Sequence, residues 1–349
     1  MLVVPESRGL YSGMVPALLA GRASPATATI DVLPLARLAG IEVVLERVAT
    51  LLPAERLART ESGIEIRWEA CSLDLGAGVR RPDGIDGAHL VAVKPLDALV
   101  QRVSEFASLA SRGRVEPTVA VVGAGAAGIE IAFALRERLR AVPGAGVLLL
   151  EEASTVLPGG SAEGRRVVAR ELARVGVEVL AGRGRIDLRG DAICAHGTEL
   201  ARPSLVILAT GSTPPALLAR SGLALDREGY LEVDRFLRST SHPRVSGAGD
   251  CAVLAEGPRL PRAGVHAVRQ GPVLAANLRA ALHDEGGLRE FRAREKALAL
   301  LSTADGRAIA LRGRWASCGR PWWWLKNRID RAYVAGFRRL GTGDGTATV

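Results

Sequence analysis

One six-residue run constrains this chain more than any other. Gly123-Ala124-Gly125-Ala126-Ala127-Gly128 stands between an apolar strand and a helix. Val119-Ala120-Val121-Val122 is uncharged and rich in valine, as befits a strand buried on both faces. Ile129 to Arg140 reads as a helix. The three glycines of such a turn have separate tasks. The first permits the tight turn, the second lets a pyrophosphate approach the backbone, and the third lets the helix pack close to the sheet. The helix start adds free N–H groups and a partial positive charge. Gly123, Ala124, Gly125, Ala126, Ala127 and Gly128 are therefore expected to hold a dinucleotide.

The next strand, Val147 to Leu150, ends at Glu151. A carboxylate there accepts hydrogen bonds from ribose hydroxyls and repels a 2′-phosphate, which favours NADH over NADPH. Glu152 reads as an exposed neighbour. A helix at Arg165 to Val175 and a strand at Val177 to Leu180 complete a βαβαβ unit. Gly182 to Glu199 reads as a hairpin-rich insert. Leu205 to Ala209 is another buried strand, stopped by Thr210-Gly211-Ser212. Shorter strands follow at Tyr230 to Val233 and Val245 to Gly247. Ala263 to Leu282 has helical spacing, with Val265, Val268, Val273, Leu274 and Leu278 assigned to its buried side. Lys296 to Arg312 reads as two strands around Asp305-Gly306, and Arg320 to Leu340 as a last helix. The alternation describes an α/β chain with parallel strands.

Composition excludes several classes. The 349 residues are 48% hydrophobic, enough for about two domains and too many for a disordered chain. No run approaches the roughly 18 apolar residues of a membrane span, and the first residues do not form a signal peptide. Cys71, Cys194, Cys251 and Cys318 lie far apart, which argues against a disulfide scaffold, a zinc site and a dithiol redox centre. No metal is expected, and a reduced cytoplasmic setting fits. The net charge is +9, but Gly287 to Val349 holds 13 basic and five acidic residues, so the remainder is nearly neutral. That distribution argues against a nucleic-acid partner.

Two further segments carry a family resemblance. Ile207-Leu208-Ala209-Thr210-Gly211-Ser212 resembles the A-T-G strand end of flavoprotein reductases. Val245-Ser246-Gly247-Ala248-Gly249-Asp250 resembles their G-D motif. With the Gly123 motif ahead of both, the chain resembles the pyridine nucleotide-disulfide oxidoreductase superfamily. Within it the chain is similar to type II NADH dehydrogenase-like flavoproteins, including those fused to or found beside selenophosphate synthetase. This likeness rests on Tyr11 to Pro16, Ser72 to Gly76, Val93 to Asp97, Ala263 to Pro272 and Trp323 to Arg331.

The resemblance implies two Rossmann-like dinucleotide-binding domains. A discontinuous FAD domain would span 1–115 and 223–286, an NAD(H) domain 116–222, and a hairpin with a basic aromatic helix 287–349. It implies FAD at Pro5, Tyr11, Asp74, Lys94, Asp250, Val265 and His266, NAD(H) at the Gly123 motif, Glu151 and Gly211, and an acceptor side at Arg269 and Gln270. The implied activity is hydride transfer from NADH to FAD and on to a quinone or other small acceptor. A selenium- or sulfur-linked reductase and an NAD-binding redox sensor without FAD are the alternatives. No dedicated acid–base residue is implied. The superfamily's FAD fold opens with its own glycine motif, whereas Leu2-Val3-Val4-Pro5 matches its second strand. About 30 residues, one strand and helix, would then lie upstream, or the protein no longer holds FAD well.

The last segment has its own signature. Trp322, Leu325, Ile329, Tyr333, Phe337 and Leu340 follow helical spacing, with Lys326, Arg328, Arg331, Arg338 and Arg339 mainly off that stripe. Such a helix suits the inner membrane surface, its own domain, or a homodimer partner.

Overall fold

The computed structural model describes residues 1–81, 89–283, 287–293 and 297–341. Lys296, the expected start of the last hairpin, and residues 342–349 lie outside them. The chain divides into two compact units. One comprises Arg8–Leu38, Val79–Gly211 and Leu298–Val349, the other Met1–Ser7, Ala39–Gly78 and Ser212–Ala297.

The first unit opens with a strand at Arg8–Leu10, paired with Thr29–Asp31, and the short helix α1 (Val15–Leu19). It continues through β1 (Leu90–Ala92), α2 (Leu96–Ser111), β2 (Thr118–Val122), α3 (Ala126–Arg138), β3 (Gly146–Glu151), α4 (Ala162–Val175), β4 (Glu178–Ala181) and β5 (Leu205–Leu208). The five strands form a parallel sheet in the order β1-β5-β2-β3-β4. β2 is central, and its Val119 to Val122 are almost wholly buried. That explains a strand without polar alternation. α3 is apolar nearly all round, with Ile129, Ile131, Phe133 and Leu135 at 2% exposure or less. It packs against β3, α1 and the later strand β6 (Ala299–Ser302). Burial of each such side chain contributes about 1.5–3 kcal/mol. Ser161 caps α4 by accepting from the Gly164 N–H at 3.0 Å, and Gly176 ends it at φ +78°.

The C-terminal segment belongs to this same unit. β6, β7 (Ala308–Arg312) and β8 (Trp315–Gly319) form an antiparallel sheet, followed by α5 (Arg320–Gly341). The Asp305-Gly306 turn appears as expected, with Gly306 at φ +87°. β8 was not expected. It forms because Ala316 and Cys318 continue the alternation of β7 and pair with Leu311 and Ile309.

The compact units cut the chain differently from the expected domains. Residues 8–38 and 79–115 group with the dinucleotide sheet. Val15, Leu18 and Leu19 of α1 and Leu99, Val103 and Phe106 of α2 share one core with α3. Residues 298–341 are likewise no separate appendage, since β6 packs on α3 and β8 on α4.

The second unit is built from short ladders. Leu2–Val4 pairs in parallel with Val43–Leu45, and Cys71–Leu73 with Val245–Gly247. Residues 48–67 form three antiparallel strands. The helix Gly264–His283 packs on the Cys71 and Val245 strands. Leu51, Leu73, Leu231, Val245, Cys251 and Leu274 centre its core. No helix among the described residues is long and apolar enough to cross a membrane.

Candidate functional site

In the first unit the three motif glycines separate by function. Gly123 has φ +104°, and a Cβ there would strike the Ala209 carbonyl. A Cβ on Gly128 would strike the Gly123 carbonyl. Both are demanded by the fold. Gly125 is not: its φ is −70°, and a Cβ there would meet nothing within 4 Å. The space above Gly125, at the cap of α3, is an open cradle of the kind a pyrophosphate fills. Gly211, at φ +94°, follows β5 next to central β2.

Glu151 ends β3 and braces the glycine turn. Its Oε2 accepts from the Ala124 N–H at 2.7 Å and its Oε1 from the Ala153 N–H at 3.0 Å. Each oxygen keeps a second lone pair for a ribose hydroxyl. Glu152 is exposed, as expected, but its Oε1 accepts from the Ile186 N–H and so fixes the following hairpin.

The second unit holds another constellation. Gly249–Cys251 is a short 3-10 turn facing the start of the Gly264–His283 helix. The helix buries a polar stripe: His266, Gln270 and Asn277, with Leu274. This corrects the expected apolar face in part: Val273, Leu274 and Leu278 pack on the core, but Val265 and Val268 are 37% and 40% exposed. The polar stripe is tolerated because its members are bonded. Gln270 Oε1 accepts from the Gly249 N–H at 2.8 Å, and Asn277 bonds the Phe236 and Arg289 carbonyls and the Arg289 N–H. Gln270 and Arg269, expected together on an acceptor side, occupy different faces. Gln270 is buried and Arg269 exposed.

His266 is the exception on this stripe. It is 6% exposed, yet its Nδ1 has no hydrogen-bond partner. Burial, with Arg269 close by, holds its pKa below the ordinary histidine value, so the ring is neutral at pH 7. It lines a cavity of about 40 Å³ with Asp250, Arg262 and Gln270. The Asp74 carboxylate lies against Gly249, where a Cβ would meet its Oδ1 at 2.6 Å. Cys251 is fully buried beside this turn, and burial pushes its thiol up to about 11, which makes it a structural cysteine.

The residues expected at FAD divide between the units. Pro5, Asp74, Asp250, Val265 and His266 belong to the second. Tyr11 and Lys94 belong to the first, where the Tyr11 ring lies 4.8 Å from that of Tyr333 on α5. The Asp250 turn, the Asp74 carboxylate beside it and the helix start offer carboxylate acceptors and N–H donors, the donor and acceptor set a flavin nucleotide would need. One strand–glycine turn–helix cradle stands among the described residues, the one at Gly123.

Sequence reasoning missed a buried ionic cluster in the first unit. Lys326 Nζ donates to the Gly13 carbonyl and to Asp330 Oδ2, both at 2.9 Å, and lies 3.9 Å from Glu130 Oε1. Its signals were Glu130, two residues after Gly128, and the i, i+4 spacing of Lys326 and Asp330. Lys326 was placed off the buried stripe; instead Lys326, Asp330 and Val334 face inward, while Ile329 is 49% exposed. Two carboxylates make the inward lysine tolerable.

The profile of the pyridine nucleotide-disulphide oxidoreductases matches residues 2–271. This chain belongs to that family. Over 169 residues it is 32% identical to an NADH oxidase of Methanocaldococcus jannaschii, covering 46% of this chain and 36% of that protein. Over 224 residues it is 27% identical to an NADH dehydrogenase-like protein of Mycobacterium tuberculosis, covering 61% and 56%. The chain thus spans roughly a third to just over half of these relatives' length. Among solved structures, it superposes on NDH2 from Plasmodium falciparum in complex with NADH with TM-score 0.81 and 12% identity, covering 97% of this chain and 92% of that one. For the sulfide:quinone oxidoreductase of Aquifex aeolicus the TM-score is 0.79 and the identity 14%, with 97% and 85% covered. At these identities the likeness establishes the fold alone, an α/β fold with a Rossmann-like parallel sheet.

Proposed function

We propose that this oxidoreductase takes a hydride from NADH onto FAD and passes the electrons to a quinone or another small acceptor. The observation that carries the NADH half is the open cradle at Gly125, a glycine that nothing in the chain itself requires. The α3 start would hold the pyrophosphate. Glu151, already fixed by two backbone N–H groups, would accept the adenosine ribose hydroxyls and disfavour a 2′-phosphate.

Asp250, Asp74 and the first turn of the Gly264–His283 helix would hold FAD, with Pro5 and Val265 beside it. Bound FAD supplies the two-electron chemistry; the chain's task is to bind, orient and tune. The helix start favours negative charge at the flavin edge. No side chain need act as acid or base in hydride transfer. Tyr11 and Lys94 belong to the first unit, where the Tyr11 ring packs on Tyr333 of α5.

The acceptor is supported by resemblance and by one surface. Trp315, Trp324 and Ile329 are exposed on or beside α5, and the Arg328 guanidinium lies over the Trp324 ring at 5.4 Å. Aromatic and cationic groups together suit an anionic lipid surface, where a quinone is dissolved. The sulfide:quinone oxidoreductase fold keeps a sulfur-linked substrate as a second reading. The test is NADH oxidation by the FAD-loaded chain with a short-chain quinone, with a persulfide, and with NADPH in place of NADH. Quinone reduction with NADH supports the proposal. Persulfide turnover alone moves it to the second reading, and no turnover with either opposes it.

A further inference from the structure

Within the glycine motif, Ala124 is held on both sides by the segment that ends β3 and follows it. Its N–H donates to Glu151 Oε2 at 2.7 Å. Its carbonyl accepts from the Leu157 N–H at 2.8 Å. The first bond fixes the Gly123–Ala124 peptide and the second the Ala124–Gly125 peptide. A trans peptide is planar, with its C=O and N–H directed to opposite sides. The bond from Leu157 therefore turns the Gly125 N–H away from the Leu157 loop. That N–H donates to nothing among the described residues. Gly125 is also the motif glycine with open space where a Cβ would stand.

Leu157 makes its bond from a conformation that leucine avoids. Its φ is +54°, in the left-handed region, although Gly159 and Gly160 stand close by in the sequence. Glycine at 157 would adopt that φ without strain. The leucine is kept by what its side chain does. It is 9% exposed and belongs to the same core as Ile129 and Val168. It lies over Gly160 and Gly164, where an added Cβ would meet its Cδ2 at 2.7 and 3.6 Å. The far end of the loop is fastened as well. The Gly160 N–H donates to the Leu157 carbonyl at 2.9 Å, and the Gly160 carbonyl accepts from Arg165 Nη1 at 2.7 Å. An anchored side chain, a strained backbone and a fastened loop thus aim one N–H at one carbonyl of the motif.

We propose that Leu157 is a positioning residue for the pyrophosphate of the bound dinucleotide. Its N–H holds the Ala124–Gly125 peptide so that the Gly125 N–H stands free for a phosphate oxygen before the ligand arrives. This rests on the reading of the Gly123 motif as the NADH site. Leu157 touches neither the ligand nor the reacting atoms in this account. A donor set in advance spares the ligand the cost of ordering the turn, so the effect falls on affinity. It falls on one part of the ligand: ADP-ribose carries the pyrophosphate, and adenosine does not.

The experiment uses the whole chain and ADP-ribose, so that neither flavin reduction nor turnover is needed. The α-hydroxy acid analogue of leucine is placed at 157, which replaces the N–H by an ester oxygen and keeps the side chain. Leu157→Gly keeps the N–H and frees the loop, and Leu157→Met keeps both bond and anchor. The Kd of ADP-ribose is measured by calorimetry and that of adenosine by competition, with the unfolding temperature of the ligand-free proteins as the control for folding. The ester protein should bind ADP-ribose about tenfold more weakly, the loss of one hydrogen bond to a charged group. Its adenosine affinity should stay at the wild-type level, and Leu157→Met should bind both ligands as the wild type does. If the ester protein does not fold, the ratio of ADP-ribose to adenosine affinity in Leu157→Gly carries the same test, and should fall. Wild-type affinity for ADP-ribose in the ester protein overturns the inference and leaves the NADH reading standing, as does an equal loss for both ligands, which a merely loosened turn would give. Failure of the wild type to bind ADP-ribose removes the NADH reading and the inference with it.

Discussion

Lys326 and Asp330 form a 2.9 Å ion pair one helical turn apart on the inward face of α5. Their side chains are only 12% and 11% exposed. Glu130 on α3 stands 3.9 Å from the same ammonium and accepts from the Ser302 N–H at 2.7 Å. The cluster thus ties α5 to the helix that carries the dinucleotide motif. Burial pulls the Lys326 ammonium down in pKa, and the two carboxylates more than reverse that. Removing the lysine leaves two acids buried without a counter-charge. Lys326→Met should destabilise the fold by about 3 kcal/mol, read by urea unfolding. Adding Asp330→Asn should recover part of the loss. An unchanged midpoint in the single variant would show that the cluster contributes nothing.

The same cluster predicts a pH dependence. Burial raises the Glu130 and Asp330 carboxyls above their ordinary range, against the pull of Lys326. A raised folded-state pKa means that the folded chain keeps a proton the unfolded chain releases. That contribution is present below the ordinary carboxylate range and is lost as the pH rises through the raised values. The stability of wild type relative to Glu130→Gln should therefore improve from pH 7 towards pH 4. Parallel stability curves for the two proteins would contradict it.

Glu171 predicts the opposite sign. It is 2% exposed beside Arg170, Arg174 and Arg307. Burial raises its carboxyl, but bonds and attraction from the three arginines outweigh burial and bring it below the ordinary range. Its contribution is present above that range and fades as the pH falls through the lowered value. Glu171→Gln should lose stability at pH 7, and the deficit should shrink in acid. A deficit that grows as the pH falls would be the wrong sign.

The glycines of the motif should respond differently to alanine. Gly128→Ala meets the Gly123 carbonyl and should lower the unfolding temperature by several degrees. Gly125→Ala has open space and an allowed φ, so its unfolding temperature should barely move. Its NADH affinity, measured by calorimetry, should fall by about tenfold or more, because the methyl group occupies the pyrophosphate position. Equal affinity in Gly125→Ala and wild type would remove the cradle.

The exposed aromatic surface makes a separate prediction. Replacing Trp315 and Trp324 by serine should reduce co-sedimentation with anionic phospholipid vesicles and leave binding to neutral vesicles low in both proteins. Each basic group near an anionic surface adds roughly 1 kcal/mol, so raised salt should weaken the wild type. Sedimentation that ignores both the tryptophans and salt would defeat the membrane reading.

The dinucleotide half was readable because its signals agree at every level. A valine strand, spaced glycines, an apolar helix and a closing acid all specify one βαβ unit, and the structure has it. The Gly264 helix was legible as a helix but only half so in its orientation. Apolar periodicity put Val273, Leu274 and Leu278 on the core side, where they pack, but also Val265 and Val268, whereas Gln270 and Asn277 are buried through bonds to main-chain groups outside the helix. Periodicity cannot see such partners. Lys326 was hidden for the same reason: a lysine reads as solvated until Glu130, 196 positions earlier, is placed beside it. Tyr11 was legible only by resemblance, and its ring contact with Tyr333, 322 positions later, had no local signal.

The central claim is that NADH bound at the Gly123 motif reduces a flavin held by this chain. Anaerobic mixing of the FAD-loaded protein with one equivalent of NADH tests it most directly. Loss of the oxidised flavin absorbance in the wild type at one equivalent, and in Gly125→Ala only with NADH in large excess, is the predicted result. Oxidised flavin that persists in the wild type while NADH is demonstrably bound would contradict the account.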